Sequence, residues 1–126
     1  MPTLIVLFNL KRKKTAIKKY EKWAQKTDVP TVKGLKSVDD FTVYRMGNIL
    51  GTEKASPYQY CEIIEVNDMN GLFAEIGSET MQRVSAEFQE FAKNPLFIVS
   101  EKFAWKWFFM ARYKLFVSDF RFVNHW

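Results

Sequence analysis

The sequence predicts a single α+β domain with its elements in the order β-α-β-β-α-β. A length of 126 residues suits one domain and is short for two. With 48% hydrophobic and 17% aromatic residues, the chain can bury enough apolar surface to offset its conformational entropy. Along the chain, segments with short continuous apolar runs, which indicate strands, alternate with segments whose apolar residues recur at helical spacing. This succession gives the order of elements.

The first strand and helix follow from the first 27 residues. Thr3–Asn9 is a continuous apolar run with β-branched residues, which is typical of a buried strand. From Thr15 to Thr27, Tyr20 and Ala24 recur at helical spacing among lysines, and Trp23 widens the apolar stripe. This segment is therefore predicted to be an amphipathic helix.

The middle of the chain predicts a pair of strands. Pro30 and Gly34 are expected to stop the first helix, because proline disfavours helix at the residue before it and glycine permits a turn. A second strand is predicted from Leu35 to about Met46. The stretch Gly47–Ser56 carries turn residues and connects it to a third strand over Pro57–Val66.

The next part predicts a helix and a fourth strand. Asp68 is placed to cap a helix that starts near Met69 and runs to Lys93, with a break at Gly77–Ser78. Asn94-Pro95 then opens a strand from Leu96 to about Phe103, because proline at a strand start loses no ladder hydrogen bond.

This order of elements predicts a four-stranded antiparallel sheet with two helices on one face. In the first strand Leu4 and Val6 alternate with Ile5 and Leu7, and the fourth strand is apolar on both sides in the same way. Two helices can cover only one face. We therefore expect the other face to be covered by the sheet of an identical chain in a homodimer.

The end of the chain has a different composition. We divide the sequence into a domain over residues 1–103 and an aromatic and basic C-terminal extension over residues 104–126. Ten aromatic residues fall between Phe103 and the C-terminus: Phe103, Trp105, Trp107, Phe108, Phe109, Tyr113, Phe116, Phe120, Phe122 and Trp126. We expect this segment to be packed against the domain or its partner, because it would otherwise expose a large apolar surface.

Composition also argues against several classes of protein. The one cysteine, Cys61, excludes an internal disulfide framework, and the first apolar run is too short for a membrane-spanning helix. It also lacks the preceding basic segment and the following small-residue cleavage site of a signal peptide. We therefore expect a cytoplasmic protein without a membrane span. The net charge of +5 arises largely from lysines of the first helix, which we interpret as a solvated face and not as a nucleic-acid site.

Few residues offer catalytic chemistry. The only histidine, His125, is the penultimate residue, and no metal-ligand spacing, phosphate loop or nucleophile motif is present, so no metal and no cofactor is expected. Several polar residues lie on strands whose neighbours are apolar and are candidates to line a pocket: Asp39, Asp40, Tyr44, Arg45, Tyr60 and Glu62.

Each candidate has a structural alternative. Pairing of the second and third strands could bring Arg45 near Glu62, and this pair could be an ion pair at the sheet edge without a catalytic role. Trp23 and Tyr20 could form an aromatic wall for a flat ligand, or they could be ordinary core residues. The residues alone predict a small dimer with an apolar cavity that carries a few polar groups.

Four stretches resemble a known family. They are Met1–Leu10, Trp23-Ala24 together with Thr27–Phe41, Pro57–Asp68 and Ala86–Phe97. Together they resemble the REDY-like family, the accessory proteins of prodiginine (tripyrrole pigment) biosynthesis. The resemblance covers the chain to about Glu101. The C-terminal extension departs from it.

The resemblance implies a ferredoxin-like fold, a dimeric α+β barrel and a role on the bipyrrole branch of the pathway. We therefore expect an accessory protein that binds a bipyrrole intermediate for neighbouring pathway enzymes, with any catalysis limited to acid–base assistance. The expected ligand-binding residues are Trp23, Asp39, Asp40, Tyr44, Arg45, Tyr60 and Glu62. Two alternatives remain, because similar barrels host varied chemistry: a cofactor-free monooxygenase or isomerase, and a non-catalytic interaction protein.

Overall fold

The computed structural model describes residues 2–104 apart from the side chains of residues 13–15, and these form the predicted order of strands and helices. The C-terminal extension and His125 lie outside the described residues. The elements are β1 (Pro2–Leu10), α1 (Lys13–Trp23), a π-helical segment (Ala24–Asp28), α2 (Val29–Lys33), β2 (Val38–Arg45), β3 (Tyr60–Val66), α3 (Met69–Ile76), α4 (Glu79–Phe91) and β4 (Ala92–Glu101).

The four strands form one antiparallel sheet in the order β2-β3-β1-β4. Val6 of the central strand β1 pairs with Glu62 of β3 on one side and with Phe97 of β4 on the other. These three side chains share the face that carries the helices, because residues directly opposite in a ladder project to the same side. The sheet and the helical layer thus form the predicted two-layer α+β domain.

The first helical region is longer than predicted. Pro30 does not stop it: α1 continues through the π-helical segment into α2, and the helical backbone ends at Gly34. Pro30 lies in the first turn of α2, where a missing N–H is tolerated and the fixed φ suits the helix. The backbone N–H of Val38 then donates to the carbonyl of Leu35, so β2 starts three residues after its predicted start.

The second helical region breaks where predicted, between α3 and α4. Asp68 precedes α3 in extended conformation, but its side chain makes no capping hydrogen bond. Ser78 caps α4, since its hydroxyl accepts a 3.2 Å hydrogen bond from the N–H of Met81. β4 begins at Ala92, earlier than predicted, because the ladder with β1 continues past Pro95 with a register shift and Asn94 adopts a φ of 47°.

The core lies between the helices and one face of the sheet. Aromatic rings form its centre: Phe8 contacts Tyr20, Tyr60 and Phe88 with centroid distances of 5.5, 5.5 and 4.9 Å. No helix within residues 2–104 is long and apolar enough to cross a membrane.

The opposite face of the sheet is apolar, and none of the helices between residues 2 and 104 packs on it. Ile5, Leu7 and Ile63 are half-buried on it, whereas Leu96 and Ile98 of β4 are 45% and 42% exposed. Together these five residues form the helix-free face. Its composition agrees with the expectation that both sides of β1 and β4 are apolar.

Candidate functional site

A cavity of about 150 Å³ lies inside the domain, between the sheet and the helices. Its walls are mostly apolar, and the side chains of Phe97 and Gln89 in the lining are exposed, so the cavity opens to solvent beside α4 and β4. The lining residues used below are Asp28, Phe41, Glu62, Phe88, Gln89 and Phe97. An apolar concave site with a few polar groups is the usual form of a small-molecule site.

Two carboxyl groups line this cavity. Glu62 is the third residue of β3 and is 4% exposed, and Asp28 ends the π-helical segment and is 5% exposed. Glu62 faces the helices because strand alternation places it with Tyr60 and Ile64. Asp28 faces the sheet because it follows Tyr20 and Ala24 at four-residue intervals on one side of the helical region.

Three buried polar atoms around the cavity make no hydrogen bond to the described part of the chain. Oδ2 of Asp28, Oε2 of Glu62 and the hydroxyl of Tyr20 are buried, and none has a hydrogen-bond partner among residues 2–104. A buried polar group without a partner costs free energy and calls for an explanation, such as a ligand or a catalytic role. These three residues are called the acidic cluster below.

Burial sets the protonation of the acidic cluster. It raises the pKa of Glu62 well above its ordinary value, and the nearby charge of Asp28 raises it further. Burial also raises the pKa of Asp28, and this rise is partly offset because the Glu62 carboxyl group lies near enough to share its proton with the Asp28 carboxylate. The pKa of the Tyr20 phenol is raised by burial and by the charge of Glu62, so this group stays protonated. The pair therefore holds a proton more tightly than two exposed carboxyl groups would.

Arg45 does not approach Glu62. In the register of β2 with β3, Val43 is opposite Glu62 and Arg45 is opposite Tyr60, so the predicted ion pair between Arg45 and Glu62 is wrong. The Arg45 guanidinium instead contacts both carboxylate oxygens of Glu21, at 2.7 and 2.6 Å. Glu21 of α1 thus pairs with Arg45. Among the residues that the structure describes, no lysine or arginine lines the cavity.

Tyr60 connects the core to that ion pair. Its ring stacks on Phe8, and its hydroxyl donates a 2.7 Å hydrogen bond to Oε2 of Glu21. Tyr60 lies on the same side of β3 as Glu62 and lines a second groove, together with Tyr20 and Arg45. Tyr60 therefore lies beside the acidic cluster and lines the second groove, not the cavity that Glu62 and Asp28 line.

Trp23 is part of the aromatic core. Its ring is tilted against Tyr20 and Phe91, at centroid distances of 6.1 and 5.4 Å, and its indole N–H donates a 2.8 Å hydrogen bond to Oε1 of Glu87. This hydrogen bond connects α1 to α4. Trp23 does not line the cavity of the acidic cluster.

The remaining predicted site residues lie away from the cavity. Asp39 and Asp40 are exposed, and they bind Asn67 at 2.7 Å and Lys33 at 3.4 Å, respectively. Tyr44 is 53% exposed and lies opposite Cys61, on the side of the sheet away from the helices. Of the seven predicted residues, only Glu62 lines the cavity.

Asp28 was missed by sequence reasoning, although a signal was present. The spacing of Tyr20, Ala24 and Asp28 indicates one helical face, but the helix was predicted to end at Thr27. The π-helical segment extends the helical backbone to Asp28, and such segments are frequent at functional sites. Within residues 2–104 there is no group of three or more His, Cys, Asp or Glu side chains that could hold a metal ion.

Solved structures of known proteins resemble this fold. HapK from Hahella chejuensis is 26% identical with a TM-score of 0.65, over 83% of this chain and 95% of that one. A dimeric ferredoxin-like protein from Jannaschia sp. CCS1 is 16% identical with a TM-score of 0.62, over 80% and 98% of the two chains. An antibiotic biosynthesis monooxygenase is 12% identical with a TM-score of 0.61, over 82% and 100%.

The two more distant structures support the fold, which is ferredoxin-like, as predicted. No curated protein matches the chain in sequence. The family model of the REDY-like protein HapK matches residues 2–103, which include all the strands and helices described above. This chain therefore belongs to the REDY-like HapK family.

Proposed function

We propose that this protein binds a bipyrrole intermediate of prodiginine biosynthesis and holds it for neighbouring enzymes of the pathway. Membership of the REDY-like HapK family supports the pathway, and the cavity between helices and sheet supports a small-molecule ligand. Shielding suits such a ligand, because electron-rich pyrrole rings are reactive and an apolar cavity excludes water.

The observation that carries the proposal is the unpartnered Oε2 of Glu62 in an apolar cavity. A pyrrole ring is flat and apolar and carries one N–H donor. The N–H can donate to a carboxyl oxygen of Glu62, while the ring packs against Phe41 and Phe88 of the lining. Ligand binding would then satisfy a buried acceptor that the protein itself leaves unpaired.

The size of the cavity sets the orientation of the ligand. An apolar cavity of about 150 Å³ is of the size known to accommodate one benzene ring. One pyrrole ring therefore fits inside, and the second ring extends towards the opening beside Phe97 and Gln89. Neighbouring enzymes would then reach the outer ring first.

The other predicted site residues have different places in this proposal. Trp23, Tyr60 and Arg45 stabilise the walls that surround the cavity, through the hydrogen bonds to Glu87 and Glu21. Asp39, Asp40 and Tyr44 do not line the cavity. They would contact a ligand only at the exposed part of β2.

We also propose that the protein is a homodimer in which two helix-free faces pack together. Dimeric proteins occur among the structures with this fold. The exposed Leu96 and Ile98 add to the half-buried Ile5, Leu7 and Ile63 to give a continuous apolar surface. Surfaces of this kind usually mark an interface in a soluble protein.

Titration with the bipyrrole, followed by calorimetry, tests the binding site. Glu62→Leu removes the acceptor and keeps an apolar side chain of similar size, so we expect affinity to fall about tenfold or more, as for a lost hydrogen bond of about 1.4 kcal/mol. Glu62→Gln keeps a carbonyl acceptor and should bind within a few-fold of the wild type.

Glu65→Leu is the matched control, since Glu65 lies on the same strand with its side chain on the other face. Circular dichroism checks that each variant is folded. If Glu62→Leu binds as tightly as Glu65→Leu, the cavity assignment is wrong.

A further inference from the structure

We propose that Asp28 and Glu62 form a general acid–base pair that moves a proton within a bound pyrrole-type ring carrying a conjugated carbonyl group. This activity would be an enolisation, without metal or redox cofactor. The inference rests on the proposed function, because it places the ligand in the same cavity. It goes further, because it assigns a reaction class and a partner residue for Glu62.

The geometry brings an acid and a base to one ligand. The two side chains come from different elements, β3 and the π-helical segment, and both line the same cavity. Each is at least nine-tenths buried, and each has an oxygen atom without a hydrogen-bond partner among residues 2–104. A ligand in the cavity can therefore contact both carboxyl groups at once.

Electrostatics gives the two groups different roles. Two carboxyl groups in one apolar cavity do not both ionise, since like charges in a low dielectric repel strongly. Tyr20 from α1 is the other titratable group of the cluster, and no lysine or arginine with a described side chain lines the cavity. The pKa values of both carboxyl groups are raised, mainly by burial, so the pair keeps one proton. In this proposal Glu62 holds that proton as the acid and Asp28 is the base.

The proton transfer is balanced within the ligand and the pair. The Asp28 carboxylate takes a proton from a ring C–H next to the conjugated system, and the electron pair of that bond moves through the ring to the carbonyl oxygen. The Glu62 hydroxyl gives its proton to this oxygen, which yields the hydroxypyrrole tautomer with an unchanged formula. Proton transfer from Asp28 to Glu62 then restores the starting state.

The same arrangement determines which ligands fit. A protonated carboxyl group donates to a carbonyl oxygen, and an ionised carboxylate accepts from an N–H or takes a C–H proton. The ligand should therefore present a carbonyl group and a donor along one edge of a neutral, flat ring. An anionic ligand is disfavoured, because Asp28 is ionised and no lysine or arginine of the described part of the chain lines the cavity.

Exchange of a ring proton in D₂O tests the inference. The probe is a pyrrolyl-pyrrolinone, two linked rings with one carbonyl group, and proton NMR follows loss of the C–H signal at the ring carbon that bears the second ring. We expect the wild type to accelerate exchange at least about 100-fold over buffer. Asp28→Asn and Glu62→Gln should each lose most of that acceleration and still bind the probe within a few-fold of the wild type.

Glu65→Gln, a carboxyl group on the outer face, should exchange at the wild-type rate. The pH dependence of the exchange rate separates catalysis from a structural role. The wild-type rate should change as the Asp28–Glu62 pair ionises, whereas the residual rate of Asp28→Asn should not follow the same profile. If the probe binds but does not exchange, the acid–base inference is overturned and the binding function stands. If the probe and the bipyrrole both fail to bind, the proposed function falls as well.

Discussion

The hydroxyl of Tyr60 donates a 2.7 Å hydrogen bond to Oε2 of Glu21, and the same carboxylate is held by the guanidinium of Arg45. Tyr60 of the inner strand β3 is thereby connected to helix α1 and to the edge strand β2. Because Arg45 and Tyr60 both stabilise the ionised carboxylate, the pKa of Glu21 is lowered. The arrangement fixes one wall of the core and directs the positive charge away from the acidic cluster.

Tyr60→Phe should lower the free energy of unfolding by about 1 kcal/mol, since it removes this hydrogen bond and leaves the ring stacked on Phe8. Urea denaturation of both proteins measures the change. Tyr58→Phe is the matched control, because Tyr58 is half-buried and no hydrogen bond of its hydroxyl is found among the described residues. Equal stability of the two variants would mean that the Tyr60–Glu21 bond contributes nothing.

The acidic cluster should make the protein less stable as the pH rises. The folded-state pKa of Glu62 is raised, so the native state binds its proton more tightly than the unfolded chain does. The contribution of Glu62 to stability is therefore fully present below its unfolded pKa of about 4.3 and is lost as the pH rises through the folded pKa. Glu62→Gln removes this loss, and we expect the variant to be more stable than the wild type at pH ~8 by on the order of 1–3 kcal/mol.

Urea denaturation at two pH values, about 5 and 8, distinguishes this effect from general stabilisation. At the lower pH the variant and the wild type should differ by less than about 0.5 kcal/mol, because Glu62 is protonated in the native state there. Glu65→Gln should show no such dependence, since its carboxylate is on the outer face. A wild type that gains stability between the two pH values would contradict the raised pKa.

The fold was largely predictable because its signals are local. The order of elements, the break at Gly77–Ser78 and the apolar character of both faces of β1 and β4 follow from spacing and composition. The errors concern positions where tertiary context decides. Pro30 was expected to end the helix, yet the π-helical segment places it in the first turn of α2, where it is tolerated.

The site was predictable only in part. Glu62 was identified because it interrupts an apolar strand. Its partner Asp28 was missed, because the register between the first helical region and β3 is not visible in the sequence. The pairing of Arg45 with Glu62 was wrong for a similar reason. The register of β2 with β3 places Arg45 opposite Tyr60, and Arg45 forms its ion pair with Glu21 of α1.

Trp23→Phe should destabilise the domain by about 1 kcal/mol or somewhat more, because it removes the 2.8 Å hydrogen bond to Glu87 and part of the ring packed on Phe91. Glu87→Gln separates the two effects, since its amide oxygen can still accept from the indole N–H. That variant should stay within about 0.5 kcal/mol of the wild type in urea denaturation. A larger loss in Glu87→Gln would show that the charge matters more than the hydrogen bond.

The C-terminal extension remains a prediction from composition, because it lies outside the described residues. Truncation after Glu101 should lower thermal stability or solubility if its aromatic residues pack on the domain or its partner. Its basic residues should then stay in water. A truncated protein that is as soluble, as dimeric and as heat-stable as the full chain would show that the extension is dispensable.

Ile98→Lys should convert the protein from a dimer to a monomer, because it places a charge in the helix-free face, where the proposed interface would bury it. Val99→Lys is the matched control: Val99 is the next residue of β4, is 62% exposed and projects to the helix side. Sedimentation velocity at micromolar concentration should show a dimer for the wild type and for Val99→Lys. A wild type that is monomeric would overturn the dimer, and dimers in all three proteins would place the interface elsewhere.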